Sequence, residues 1–100
     1  VESEQWWLAC PATLLVWARL RVMETGVAQV FDSQGETLVY DSEDSARAAL
    51  LEAEFSALDG LDDDDAVQMT GFLADELQPP QGDSDEELLP QMIRNLGAKH

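Results

Sequence analysis

The feature that most constrains the fold of this chain is a short turn, Asp32-Ser33-Gln34-Gly35, between two apolar runs. An aspartate at the first turn position can accept hydrogen bonds from the backbone ahead of it, and glycine tolerates the left-handed conformation that a short hairpin loop needs. The flanking runs, Val27–Phe31 and Thr37–Tyr40, are rich in β-branched and aromatic residues, which are typical of strands. The segment therefore predicts a β-hairpin.

A helix is predicted directly after the hairpin, over about residues 42–57. Asp41 or Ser42 can cap its N-terminus, and the next two residues are acidic, as the helix dipole favours in a first turn. One stripe of the helical wheel, about 100° wide, contains Ala46, Ala49, Leu50, Ala53 and Ala57. Because this stripe is mostly alanine, the helix should lie close against the sheet. Leu51 and Phe55 point away from the stripe and need a second partner, which the C-terminal third can supply.

The segment over about residues 13–23 predicts the strand that precedes the hairpin. Alternation places an apolar row on one face and Trp17, Arg19 and Arg21 on the other. The good helix formers of this segment also support a helical interpretation. The clean separation of the arginines from the apolar row favours a strand, and three strands are more stable than a bare hairpin. Upstream, the adjacent Trp6 and Trp7 face opposite ways if extended, so one is exposed or covered by the C-terminal segment.

The acidic C-terminal half predicts one or two further helices. Asp62–Asp65 precede an apolar segment and predict a helix over about residues 63–70, closed by Gly71. Ser84 and Glu87 match a capping box, although Pro90 must kink the following helix or delay its start to about Leu89. The predicted fold is a single α+β domain. It consists of a three-stranded antiparallel meander (about 13–23, 27–32 and 36–41), the main helix packed on it, and these C-terminal helices.

Charge is the most unusual property of the composition: 21 acidic residues stand against 5 basic ones, a formal net charge of −16. Such a field repels nucleic acid and anionic membranes and attracts basic partners at long range. There is no run of 18 apolar residues that would span a membrane. The acidic start and the lone Cys10, which we expect to be a buried, inert thiol, predict a cytoplasmic protein without a secretory signal.

No residue pattern in the sequence indicates catalysis, a cofactor or a metal. The aspartate runs at Asp62–Asp65 and after Asp83 lack the ligand spacing of an EF-hand loop. The only histidine, His100, stands at the chain end, where a general base would lack rigid support. With 21 acids, any carboxylate pair is uninformative about acid–base chemistry. A carboxylate or metal-linked enzyme is therefore the third-ranked hypothesis, and we predict a protein that is not an enzyme.

Two binding hypotheses rank above an enzyme. The first is a protein-interaction module whose Asp62, Asp63, Asp64 and Asp65 engage a basic protein, in an inhibitor, immunity-type or nucleic-acid-mimic role. The second is a structural subunit that self-associates, for example as a homodimer, through a sheet face around Trp17, Arg19 and Arg21, since Trp and Arg are frequent interface anchors. The alternative for that face is structural: the arginine stems cover apolar surface and the charges hold the molecule's own acids.

Overall fold

An antiparallel sheet forms the centre of the computed structural model, which describes residues 2–11 and 14–95. Its long strands are β1 (Ser3–Ala9), β2 (Leu14–Val22), β3 (Ala28–Phe31) and β4 (Thr37–Tyr40), and each pairs with the next. In the described part of the chain, two short strands extend it: β5 (Ser56–Ala57) pairs with β1, and β6 (Ile93–Asn95) pairs with the start of β2. The strand order is β4-β3-β2-β1-β5, with β6 beside β2.

Among residues 2–11 and 14–95, three helices accompany the sheet: α1 (Glu43–Glu52), α2 (Asp63–Thr70) and α3 (Asp85–Leu88). Single 3₁₀ turns lie at Leu58–Gly60, Ala74–Glu76 and Leu89–Gln91. The predicted α+β class and the antiparallel meander are confirmed. None of the helices within residues 2–11 and 14–95 is long and apolar enough to cross a bilayer.

The three predicted strands correspond to β2, β3 and β4, and the strand interpretation of residues 14–22 is confirmed. Thr13 and His100 lie outside the described residues. The prediction of three strands was incomplete, because β1 pairs along β2 from Ser3 opposite Val22 to Ala9 opposite Val16. This pairing buries Trp7 on one side of the sheet, while Trp6 packs on the other side, as predicted for adjacent residues of an extended segment.

The predicted hairpin turn is confirmed in detail. The Asp32 backbone N–H donates to the Glu36 carbonyl at 3.0 Å. The Asp32 carboxylate accepts from the backbone N–H groups of Gln34 at 2.9 Å and Glu36 at 3.0 Å. Gly35 has a φ of 86°, in the left-handed region that a side chain would disfavour. Local chemistry alone therefore determines where β3 ends and β4 begins.

Helix α1 begins as predicted but ends earlier. The Ser42 hydroxyl caps it by accepting from the Ser45 backbone N–H at 3.1 Å. The predicted end near residue 57 was wrong: Glu54 has a φ of 67°, and the Phe55 N–H donates back to the Leu50 carbonyl at 2.9 Å, which closes the helix. The chain then extends into β5, where Ala57 lies opposite Trp7 of β1.

The helical stripe is correct only in its first half. Ala46 and Leu50 are buried against the sheet, as predicted. Ala53 is exposed, because it lies at the end of the shortened helix. Leu51 was expected to contact the C-terminal third but is 60% exposed. Phe55 packs on the α1 side of the sheet and not on the C-terminal third.

Both faces of the sheet carry a buried apolar cluster. On the α1 side the cluster comprises Trp7, Ala18, Leu20, Ala28, Val30, Ala46 and Leu50. On the opposite side it comprises Leu8, Leu15, Trp17, Phe31, Ala66, Leu77, Leu88 and Met92. We call residues 58–92 the C-terminal layer, because this segment supplies the cover of the second face. The protein thus has an α1 layer, a sheet and a C-terminal layer.

The C-terminal layer begins as predicted. The Asp62 carboxylate accepts from the Asp65 backbone N–H at 2.9 Å and starts α2, which ends at Gly71 with a φ of 85°. Later in the layer, the Ser84 hydroxyl accepts from the Glu87 N–H at 3.3 Å and starts α3. The longer helix predicted there does not form: the chain turns through Leu89–Gln91, which contains a proline, and then pairs with β2 as β6.

Candidate protein-interaction surfaces

The sheet face around Trp17, Arg19 and Arg21 lies beneath the C-terminal layer. Trp17 is 2% exposed and stacks edge-to-face with Trp6, with ring centroids 6.0 Å apart. Arg19 is 5% exposed and Arg21 is half-buried. Trp17 and Arg19 are therefore not available on an open face, because Leu77, Leu88 and Met92 complete the cluster above them. Self-association through these residues stays a prediction that requires the layer to move away.

The two arginines of this face pair with acids of the same chain, as the structural alternative predicted. Arg19 Nη1 donates to Asp85 Oδ1 at 2.9 Å, and its guanidinium carbon lies 5.1 Å from the centroid of the Phe31 ring. Arg19 Nε is buried and has no hydrogen-bond acceptor within residues 2–11 and 14–95. Arg21 Nε donates to Glu4 Oε2 at 2.8 Å across the β1–β2 pair. The positive charge of this face is thus neutralised within the molecule.

The outer surface of the C-terminal layer carries the largest concentration of negative charge. Its acidic residues are Asp59, Asp62, Asp63, Asp64, Asp65, Asp75, Glu76, Asp83, Asp85, Glu86 and Glu87, and every one is exposed. No lysine, arginine or histidine occurs between residues 48 and 93. Only Asp85 forms an ion pair within the described residues, with the buried Arg19. The predicted site residues Asp62–Asp65 lie together at the start of α2, on this surface.

Backbone hydrogen bonds fix several of these carboxylates in position. Asp62 caps α2, as described above. Asp63 Oδ1 accepts from the Ala74 N–H at 3.2 Å and so ties α2 to the next turn. Glu76 Oε1 accepts from the Leu73 N–H at 2.8 Å, and Glu87 Oε1 accepts from the Asp83 N–H at 2.9 Å. The layer therefore presents carboxylates at defined positions, which recognition by a shaped basic surface requires.

The same charge should make the stability of the protein depend on salt. Raising sodium chloride from about 10 mM to about 150 mM shortens the Debye length from about 30 Å to about 8 Å. Because a net charge of −16 repels itself, we expect the melting temperature to rise over this interval. Circular dichroism melts measure it, and calcium chloride at matched ionic strength should add nothing further. An unchanged melting temperature, or a saturable micromolar calcium isotherm, would contradict this interpretation.

The side chains of these surfaces that could take part in chemistry are the carboxylates and the Cys10 thiol. Within residues 2–11 and 14–95, no group of three or more histidine, cysteine or acidic side chains is arranged to hold a metal ion. Burial raises the pKa of the Cys10 thiol and so lowers its thiolate fraction at a given pH. Cys10 lines an open groove of about 310 Å³ together with Pro11, Glu54 and Phe55. A raised pKa is the opposite of what nucleophilic catalysis needs.

Sequence reasoning missed two features of these surfaces. The first is the ion pair between Asp85 and Arg19. The two residues lie far apart in the sequence, so no local residue pattern predicts the pair. The second is the outer edge of β4, where Leu38 is 44% and Val39 is 65% exposed. The position of the turn and the alternation along β4 show which side chains lie on each face of the strand. The strand order is also needed, because it shows that β4 lies at the edge of the sheet.

Fold and surface together define the class: a small, strongly acidic α+β protein with a two-sided antiparallel sheet. Comparisons with protein-family models, curated proteins and solved structures found no match to this chain.

Proposed function

We propose that this protein is a non-enzymatic, cytoplasmic interaction module that binds a basic protein through the outer surface of its C-terminal layer. The observation that carries the proposal is the set of exposed carboxylates on residues 59–87 without a single basic residue among them. Opposite charge steers association and suppresses wrong partners more than it adds raw affinity. The fitting roles are inhibitor, immunity-type protein or nucleic-acid mimic, and direct binding to nucleic acid or membrane is not expected.

The Asp62–Asp65 cluster is the part of this surface that best suits a binding role. All four side chains are exposed, and backbone hydrogen bonds hold the carboxylates of Asp62 and Asp63. A run of like charges that served only solubility would need no such positioning. An array that imitates a phosphate backbone, in contrast, must present its charges at fixed places.

Replacing Asp62, Asp63, Asp64 and Asp65 together with asparagine tests the proposal. Asparagine keeps the side-chain oxygen that caps α2 and removes the charge, so the fold should persist. We expect the variant to lose the partner that the wild-type protein captures from a lysate of its source organism at physiological salt. The captured partner should be basic, and its binding should weaken as sodium chloride is raised.

A charge-matched control separates position from net charge. Replacing Glu2, Glu24, Glu52 and Glu54 with glutamine removes the same number of charges from exposed sites outside the C-terminal layer. This control should retain the partner. If both variants bind equally well, or both lose binding equally, the ordered carboxylates are not the recognition element.

A further inference from the structure

The outer edge of β4 is an unpaired strand edge with exposed apolar side chains. β4 is the last strand in the order β4-β3-β2-β1-β5, and no segment of residues 2–11 or 14–95 pairs with its outer side. Leu38 is 44% exposed on the α1 face and Val39 is 65% exposed on the opposite face. Proteins normally protect such edges with bulges, prolines or covering segments, because an open edge accepts another strand.

The hairpin register shows which backbone groups are open. The Asp32 N–H donates to the Glu36 carbonyl, so these residues form a hydrogen-bonded pair, and such pairs alternate along an antiparallel ladder. Leu38, opposite Val30, therefore bonds inward to β3. Thr37 and Val39, as the alternate residues, direct their N–H and C=O groups away from β3. The edge thus offers two donors and two acceptors to another strand.

The charges around the edge select the partner. Glu36 precedes β4 and Asp41 follows it, and both side chains are exposed. A second copy of this chain, paired antiparallel, would bring its Asp41 end beside the Glu36 end of the first, and each copy carries a charge of −16. An extended segment with two adjacent apolar side chains between basic ones satisfies the open backbone groups. Its two apolar side chains point to opposite faces and cover Leu38 and Val39, and its basic ends lie beside the flanking acids.

We infer that β4 is a strand-addition site for an extended, basic and apolar segment of a protein partner. Strand addition draws its affinity from main-chain hydrogen bonds and its specificity from the alternate side chains. This inference rests on the proposed function for the sign of the partner's charge. Its site, however, lies at the sheet edge and not on the C-terminal layer.

Titration of the ¹⁵N-labelled protein with a short peptide that carries two adjacent valines between lysines tests the inference. We expect saturable shifts of the Thr37 and Val39 amide signals, and slower hydrogen exchange of these two amides in the complex. The same peptide with glutamate in place of each lysine should not bind. Shifts confined to the Asp62–Asp65 amides would overturn strand addition but would leave the proposed function unaffected. Equal binding of a neutral peptide, with threonine in place of each lysine, would overturn the basic character of the partner. No shift with any peptide, or edge shifts on concentrating the protein alone, would also overturn the inference.

Substitutions at Val39 provide the matched variants. Val39→Pro removes an outward N–H that does not serve the β3–β4 pair and should weaken peptide binding at least about tenfold. Val39→Thr keeps the donor and a β-branched side chain and should bind like the wild type. Val39→Lys keeps the backbone N–H donor but adds a positive charge that repels the lysine peptide, so this variant should also bind the peptide weakly. It replaces the proline variant as the test if the proline variant does not fold. Wild-type affinity in both the proline and lysine variants would overturn the site.

Discussion

Replacing Trp17 with alanine should lower the free energy of unfolding by about 3–5 kcal/mol, the usual cost of deleting a buried aromatic side chain. Trp17 is 2% exposed and belongs to the cluster between the sheet and the C-terminal layer. Met92, fully buried on the layer side of the same cluster, should lose about 2–5 kcal/mol on replacement with alanine. Urea unfolding followed by far-UV circular dichroism measures both losses without relying on tryptophan fluorescence.

An exposed leucine provides the control for these two variants. Leu51 lies on α1 and is 60% exposed, so Leu51→Ala should change the free energy of unfolding by no more than about 0.5 kcal/mol. Comparable losses at Leu51 and Trp17 would contradict the assignment of Trp17 to a core. A loss near zero at both Trp17 and Met92 would mean that the C-terminal layer does not cover the sheet in solution.

The features that the sequence predicted correctly are those in which neighbouring residues determine the structure. The turn at Asp32 and Gly35 bonds within itself. The starts of α2 and α3 depend on single capping side chains, Asp62 and Ser84, that accept from an N–H three residues later. Such interactions stabilise a local conformation wherever the segment lies in the fold, so a residue pattern is sufficient to predict them.

The end of α1 was predicted wrongly because tertiary pairing overrides helix propensity there. Alanine and glutamate around Ala53 favour a longer helix. Glu54 nevertheless adopts a left-handed conformation that is uncommon for a residue other than glycine, and the next residues pair with β1. Strand β1 and its register against β2 were not part of the prediction, so nothing marked Ser56–Ala57 as a strand.

The covered second face of the sheet was missed for a related reason. Arg19 and Arg21 alternate with buried residues on β2, and arginine on one side of a strand ordinarily indicates a solvated face. The layer that buries Arg19 consists of short helices and turns, whose apolar residues follow no long period. Leu77, Leu88 and Met92 therefore gave no amphipathic signal, although each is buried on the sheet.

The candidate surfaces also differ in how far the sequence alone predicts them. Composition alone predicted the acidic cluster at Asp62–Asp65, because a long stretch without any basic residue is visible in the sequence. The hydrogen bonds that position the carboxylates, such as that from the Ala74 N–H to Asp63, depend on how the turns fold back on α2. The open edge of β4 depends on the strand order, which a single sequence does not specify.

The pair between Arg19 and Asp85 should respond asymmetrically to substitution. Asp85→Ala leaves a buried guanidinium whose Nη1 loses its acceptor and whose Nε has none in the part of the chain that the structure describes. We expect a loss of about 1–3 kcal/mol in the free energy of unfolding. The loss should stay below that of a fully buried pair, because the Asp85 side chain is 51% exposed and water can replace it in part.

Arg19→Met should change the free energy of unfolding by no more than about 1 kcal/mol, since methionine keeps an unbranched apolar stem beside Phe31 and removes the buried charge. The double variant should resemble Arg19→Met, because Asp85 has no other basic partner in the described residues.

Glu86→Ala, at an exposed position in the same first turn of α3, is the control for Asp85→Ala. It measures the loss of helix-dipole stabilisation, which is subtracted from the loss in free energy of unfolding that Asp85→Ala causes. Urea unfolding of the wild type, the two single variants and the double variant gives the coupling energy. A larger loss for Arg19→Met than for Asp85→Ala would contradict this asymmetry, and would show that Arg19 stabilises the fold through contacts other than its pair with Asp85, such as that with the Phe31 ring.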